Sequence, residues 1–203
     1  MIRRWRPGAL LLALLLLGGC ATTPPPSLPS VDRDRQLTLW QSHRDALALW
    51  NSFQLEGRIA ATGQPLSARL RWLQQADTQF DVHLSGPVGV GAIRLRGNPK
   101  VVEIQAKRER WVSTDPEADL TDLLGWSPPL AALPYWARGL PQPGVPVQFE
   151  LDALGRIVRL EQEGWTMTVL GYGNERPALP TRVEWQREAQ TITLINDRWR
   201  RTP

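Results

Sequence analysis

The sequence predicts a mainly β protein, a curved antiparallel sheet or incomplete barrel of about ten or eleven strands with a helical lid. Three observations carry this. Most of the chain beyond residue 52 alternates apolar and polar residues with a period of two, the mark of a sheet with one buried face. Turn residues interrupt the alternation at short intervals, as hairpins require. Between two such runs the pattern changes to that of two short apolar helices, placed to cover the concave face of a sheet wide enough to curl.

The elements follow in order. Between Arg33 and Asn51 the residues Leu37, Trp40, Leu47 and Trp50 fall on one broad helical face, with His43 pointing the same way as a half-buried neighbour of Trp40. Strands then alternate inward Phe53, Leu55 and Ile59 against Gln54, Glu56 and Arg58, and Leu66, Ala68, Leu70 and Trp72 against Ser67, Arg69 and Arg71. Phe80, Val82 and Leu84 follow, then Ile93 and Leu95, then Val102, Ile104 and Ala106. Turns are expected at Gly63-Gln64-Pro65, Gly86-Pro87 and Gly97-Asn98-Pro99. Asp115 caps a helix that begins with Pro116 and ends at Gly125, its face formed by Leu120, Leu123 and Leu124. A second helix from Pro128 to Gly139 carries Leu130, Leu133 and Trp136, and Pro134 keeps it short or kinked. Strands resume at Val147, Phe149 and Leu151, at Ile157–Leu160, at Trp165, Met167 and Val169, at Val183 and Trp185, and at Ile192 and Leu194.

The N-terminus is of a different kind. Arg3, Arg4 and Arg6 precede an apolar run, Ala9–Leu17, and then Gly18, Gly19 and Cys20. The run is far short of the ~20 residues that span a bilayer and fits the core of an export signal. The 203 residues carry 24 Lys and Arg against 20 Asp and Glu, a net of +4. Removing residues 1–19 discards three arginines and leaves a net of +1, which argues against a nucleic-acid partner. Lys107-Arg108-Glu109-Arg110, the nearest basic run, is interrupted by acid and reads as a solvated turn. Cys20 has no second cysteine to pair with. Its setting resembles the bacterial lipobox, which implies a diacylglyceryl thioether on Cys20 after cleavage, and Ala21 in place of Asp points by the same resemblance to the outer membrane. Residues 21–31 hold four prolines and form a semi-rigid tether. The expected organisation is a signal over 1–19, lipidated Cys20 with a proline-rich tether to residue 36, and a single domain over 37–203.

Catalytic chemistry is thin. The only histidines, His43 and His83, lack the cysteine partners of a zinc site, so no metal is expected, and there is no G-x-S-x-G turn. Gly86–Gly91 resembles a phosphate loop, but Arg94 stands where the third glycine belongs and a strand follows. Glu56, Asp81 and Glu103 sit on outward faces without pairing. The apolar side is richer: nine of the ten tryptophans lie beyond residue 20, either as core or as the lining of a cavity for an apolar ligand. Alternation nominates Leu55, Ile59, Leu70, Trp72, Phe80, Val82, Ile93, Trp111, Leu123, Trp126, Leu133, Trp136, Phe149, Trp165 and Met167 for that lining.

The chain resembles the LolB family of outer-membrane lipoproteins. The resemblance rests on the order of several stretches: the Cys20 lipobox, Leu39-Trp40-Gln41-Ser42-His43 on to Gly57, and Gly86-Pro87-Val88-Gly89. Pro129-Leu130 through Tyr135-Trp136, Gly139-Leu140-Pro141, Pro177-Ala178-Leu179-Pro180 and Asn196-Asp197-Arg198-Trp199 complete it. It implies an unclosed β-barrel with a helical lid and an apolar cavity. It further implies a monomeric receptor that takes acylated lipoproteins from the periplasmic carrier LolA and inserts them into the outer membrane without ATP or any cofactor. A type I turn with Pro87 second and Gly89 fourth puts Val88 at a hairpin tip. In the family a protruding Leu usually stands there and engages phospholipid; Val88, with Val90 beside it, is the expected equivalent. Two other classes stay open on the residues alone: a passive outer-membrane lipoprotein that binds an apolar ligand or scaffolds an assembly, and an envelope hydrolase using His43 or His83.

Overall fold

The computed structural model describes residues 30–62, 66–76, 78–86, 92–126 and 129–203. Cys20, the signal, the turn at 63–65 and the hairpin tip Pro87, Val88 and Gly89 lie outside these residues. In chain order the elements are α1 (Ser30–Ala48), β1 (Phe53–Ala61), β2 (Leu66–Gln75), β3 (Gln79–Ser85), β4 (Ile93–Asn98), β5 (Val101–Ala106) and β6 (Glu109–Ser113). Then come α2 (Pro116–Leu124), α3 (Leu133–Trp136), β7 (Gln148–Leu151), β8 (Ile157–Gln162), β9 (Trp165–Tyr172), β10 (Pro180–Arg187) and β11 (Gln190–Arg201).

All strands join one antiparallel sheet of 11 strands in the order β6-β5-β4-β3-β2-β1-β11-β10-β9-β8-β7. Two meanders, β1 to β6 and β7 to β11, meet where the first strand pairs with the last. β6 and β7 are left as free edges among the described residues, so the sheet is unclosed. The expected alternation holds across strands. Leu55, Trp72, Val82, Leu95, Ile104 and Trp111 are successive partners on the inner face. One residue along, Glu56, Arg71, His83, Arg94, Gln105 and Arg110 are successive partners on the outer face. The second meander continues the inner face with Phe149, Leu160, Met167, Trp185 and Ile192.

Three expectations need correction. β6 is an additional strand, because Lys107 and Arg108 alone make the turn, both in the left-handed region (φ 50 and 76), and Glu109 already belongs to the strand. α1 begins at Ser30 and so takes the last residues of the stretch assigned to the tether. Its buried stripe is Gln36, Trp40, His43, Leu47 and Trp50, whereas Leu37 is 40 % exposed. Gln36 faces inward because its amide donates to the carbonyls of Leu151 and Asp152, both at 2.9 Å, pinning the helix to the end of β7. The adjoining β7–β8 turn fits under α1 because Gly155 has no side chain: a Cβ there would lie 2.5 Å from the Trp40 nitrogen. α3 spans four residues, with Pro134 in its first turn, in keeping with the limit that proline sets.

The seam between β1 and β11 carries a bulge at Glu56/Gly57, where Gly57 pairs with Asn196. A Cβ on Gly57 would run into the backbone carbonyl of Ile195. Trp199, Phe53 and Trp72 pack edge to face across β11, β1 and β2, with centroids 5.0 and 5.4 Å apart. Gly57→Ala is therefore expected to force the seam apart at a cost of about 2–3 kcal/mol, lowering the melting temperature by roughly 5–10 °C. Thermal unfolding followed by circular dichroism checks this; an unchanged melting temperature would show that the bulge tolerates a side chain.

Candidate functional site

The connection from β6 to β7 joins one free edge of the sheet to the other and carries both short helices across the concave face. α2 starts where Asp115 accepts the Ala118 N–H (3.3 Å) and Pro116 occupies the first turn. It stops at Gly125, in the left-handed region at φ 78, whose N–H donates to the Thr121 carbonyl. The Trp111 indole donates to Asp119 at 3.2 Å and holds α2 against β6. At the other side Trp136 is wholly buried, and its indole donates to the Gln162 side chain at 2.9 Å.

Gln162 is the central polar residue of this lid. Its carbonyl oxygen also accepts the Gln142 N–H at 2.9 Å, and its amide donates to the carbonyls of Gln142 (2.9 Å) and Val145 (3.2 Å). Arg138, 1 % exposed, plays the matching part toward α1. Its Nε donates to the Pro134 carbonyl at 2.7 Å, and one Nη to the Trp50 and Leu47 carbonyls at 3.0 and 3.4 Å. The guanidinium thus meets the negative end of α1 and lies 5.2 Å over the Tyr135 ring.

Between lid and sheet is a cavity of about 70 Å³ lined by apolar side chains. Ile59, Leu70, Trp72, Phe80 and Val82 line it from β1 to β3, and Trp126 and Leu133 from the lid. Leu66, Leu84, Leu95, Leu124, Leu130, Trp185 and Leu194 complete the wall; the alternation reading did not nominate them, although all but Leu124 and Leu130 follow the same strand parity. The other nominees lie off the wall. Leu55, Trp136 and Met167 are wholly buried in packed core. Trp165 sits between Trp126 and Trp136, at centroid distances of 6.3 and 6.4 Å. Trp111 and Leu123 are half-buried, Ile93 likewise, and Phe149 packs against Trp40 of α1 at 5.4 Å. Inward-facing residues divide this way because the lid touches only part of the concave face, and α1 fills the region beside β7.

The histidines stand apart. His83 is exposed on the outer face of β3, while His43 is half-buried on the inner face of α1, edge-on to Tyr172 at 6.2 Å. Burial pushes the His43 imidazole below its ordinary value; Arg156 adds to this and Asp152 opposes it. Tyr172 donates to the Ile157 carbonyl at 2.7 Å, and burial raises its phenol. Burial alone would raise Asp152, but hydrogen bonds from the Arg156 backbone and side chain and from the Leu154 N–H hold it below the usual carboxylate value. Among the described residues no hydrogen bond links His43 to a hydroxyl or carboxylate, and no cluster of three or more His, Cys, Asp or Glu is placed to hold a metal ion.

An open sheet that folds an apolar space beneath an edge-to-edge lid defines a half-barrel cavity protein. The family model described as "Outer membrane lipoprotein LolB" matches residues 51–199, and the chain belongs to that family. Proteins called outer-membrane lipoprotein LolB are 38% identical over 189 residues in Stutzerimonas stutzeri, covering 91% of this chain and 90% of that one. In Nitrosococcus oceani the identity is 38% over 202 residues, covering 97% and 98%. In Pseudomonas aeruginosa it is 34% over 191 residues, covering 92% of each. Among solved structures, the LolA superfamily protein NE2245 from Nitrosomonas europaea has a TM-score of 0.49 and 12% identity, covering 81% of this chain and 94% of that one.

Replacing Gln162 by Leu strands the Trp136 and Gln142 N–H groups and two carbonyls without partners. Its expected cost is about 2–4 kcal/mol, roughly 5–15 °C in melting temperature. Amide hydrogen exchange should show the loss of protection concentrated in residues 133–145 rather than spread through the strands.

Proposed function

We propose that the chain is an outer-membrane-anchored receptor that accepts acylated lipoproteins from a periplasmic carrier of the LolA kind and inserts them into the outer membrane without ATP. The observation that carries this reading is the wholly apolar cavity under the helical lid in a chain of this family. In water a sixteen-carbon acyl chain forfeits on the order of 12 kcal/mol, at ~0.8 kcal/mol per methylene. Transfer therefore needs one apolar shelter to open into the next, and the bilayer, as the last and best acceptor, gives direction.

The cavity sets a condition on this. At about 70 Å³ it is less than half the ~150 Å³ of an engineered cavity that admits benzene. An acyl chain therefore enters only when the apolar centre of the lid lifts from the sheet. In this reading the protein contributes shelter and release rather than bond chemistry, and acts as a monomer. The export signal at 1–19 is removed, lipid on Cys20 attaches the chain, and the proline-rich segment spaces the domain from the membrane. Val88 at the β3–β4 hairpin meets phospholipid at the moment of release.

Purified full chain in lipid vesicles, mixed with a carrier loaded with radiolabelled lipoprotein, tests this: a receptor strips the carrier, whereas a passive lipoprotein leaves it loaded. Leu70→Glu puts a carboxylate in the cavity wall and is expected to cut acceptance at least roughly ten-fold; circular dichroism establishes that the variant still folds. Val88→Glu should leave acceptance intact while slowing delivery into vesicles by roughly ten-fold. Delivery at the original rate would remove Val88 from the release step.

A further inference from the structure

On the outer face of the sheet most arginines have a carboxylate beside them. Arg94 bonds Asp81 through two nitrogens at 2.9 and 2.6 Å, and Arg96 lies 3.9 Å from the same group. Arg110 is 3.9 Å from Glu103, Arg159 2.7 Å from Glu161 and Arg182 3.3 Å from Glu184. The strands about the seam depart from this. Arg58 stands directly opposite Arg69 across β1 and β2, and Arg71 directly opposite His83 across β2 and β3. Arg198 and Arg200 of β11 flank β1 on its other side, opposite Glu56 and Gln54. Arg58 is matched by Asp197, but Arg69, Arg71, Arg198 and Arg200 make no ion pair among the described residues. All five arginines are exposed and only Glu56 and Asp197 offset them, so the patch carries +3 on a chain whose residues beyond 19 carry +1. Like charges set opposite one another across a sheet are destabilising, a cost that an anion seated between them removes.

The patch is also shaped. Arg58, Arg69, Arg71, His83 and Ser85 line a groove of about 510 Å³ on this face. A guanidinium fork pairs with two phosphate oxygens at once, and Arg69 and Arg71 have no internal partner to give up. Two features select the source of the phosphate. The groove lies on the opposite side of the sheet from the apolar cavity, so a carrier delivering acyl chains into the cavity has no need to sit there. Ser85, opposite Arg69, is three residues before Val88, a span of at most about 10 Å, close to the depth of a headgroup layer at about 5–8 Å. We propose that this groove is a phosphate site for the headgroups of membrane phospholipid, with Arg69 and Arg71 as its ligands and Arg58, Arg198 and Arg200 supplying the attracting field. The site rests on the membrane-release step of the reading above and gives it a second contact. Val88 meets the hydrocarbon, and the arginines hold the domain at the surface.

The test uses the full chain in alkyl maltoside micelles, which carry no phosphate, and follows the arginine Nε–H signals by NMR. Phosphatidylglycerol, diacylglycerol, inorganic phosphate and the unloaded carrier are added in separate titrations. The expected result is a saturable shift of the Arg69 and Arg71 signals with phosphatidylglycerol, while Arg159, already paired with Glu161, stays in place. Arg69→Gln, read at Arg71, and Arg71→Gln, read at Arg69, should each weaken binding roughly five-fold. The wild-type spectra need no variant, so a substitution that loosens the fold does not decide the matter. An equal shift at Arg159 overturns the site, because it marks a general attraction of cations to a charged surface. No shift with phosphatidylglycerol, or an equal one with diacylglycerol, overturns it as well. Inorganic phosphate binding as tightly as the lipid, or the carrier shifting the arginines where the lipid does not, removes the headgroup assignment. Each of these results leaves the receptor reading standing; failure of the wild-type chain to strip a loaded carrier removes that reading and leaves the arginine signals to be judged by themselves.

Discussion

The pairing of the first strand with the last is the constraint from which the rest of the architecture follows. β1 and β11 join two meanders into one sheet, and the register is interrupted only at Gly57, where a side chain would meet the opposing backbone. With the seam in the middle of the order, the free edges fall on β6 and β7. The segment between those strands must then cross the concave face, which is why the lid lies where it does. The ion pair of Arg58 with Asp197 at 2.8 Å spans the seam on the outside but is about half exposed and contributes little. The aromatic contacts of Phe53 and the shape of the bulge matter more.

Polarity divides between the borders of the lid and its centre. Where the lid meets the rest of the protein at its borders, its contacts are hydrogen bonds: Gln162 holds Trp136 and residues 142–145, and Arg138 holds α3 to the end of α1. Over the cavity itself the contact is apolar on both sides. Hydrogen bonds fix geometry and resist displacement, whereas apolar contacts reform against any other apolar surface, an acyl chain included. In the function proposed above, little is therefore lost when an acyl chain replaces the lid's apolar contacts while the bordering hydrogen bonds stay tied.

Much of this was legible in the sequence, because a period of two assigns each side chain to a face. The inward residues from Leu55 to Ile104 follow from the alternation alone, and so do Asp115, Pro116 and Gly125 as the ends of α2. β6 was harder to see, since a turn made by Lys107 and Arg108 carries no glycine to announce it. Gln36 was hidden by its polarity, which is used to cap carbonyls of the β7–β8 turn rather than to meet water. The division of the inner face into core and cavity wall was not legible at all. Leu55 and Leu66 have the same parity and chemistry, and only the position of the lid separates them. Gln162 and Arg138 read as ordinary polar residues because their partners are mostly backbone carbonyls, which leave no pattern in sequence.

The seam also has a meaning in time. It brings residues 53–61 against 192–201, so the contact that unites the sheet joins the two ends of its sequence. A chain threaded through a membrane N-terminus first cannot make this contact until its last strand has crossed. Before then β1 can pair only with β2, and the early meander has neither its lid nor its second half to bury its inner face. Long-range closure is slow in any case. In any chain that emerges N-terminus first, this topology delays the finished structure until the last strand has appeared.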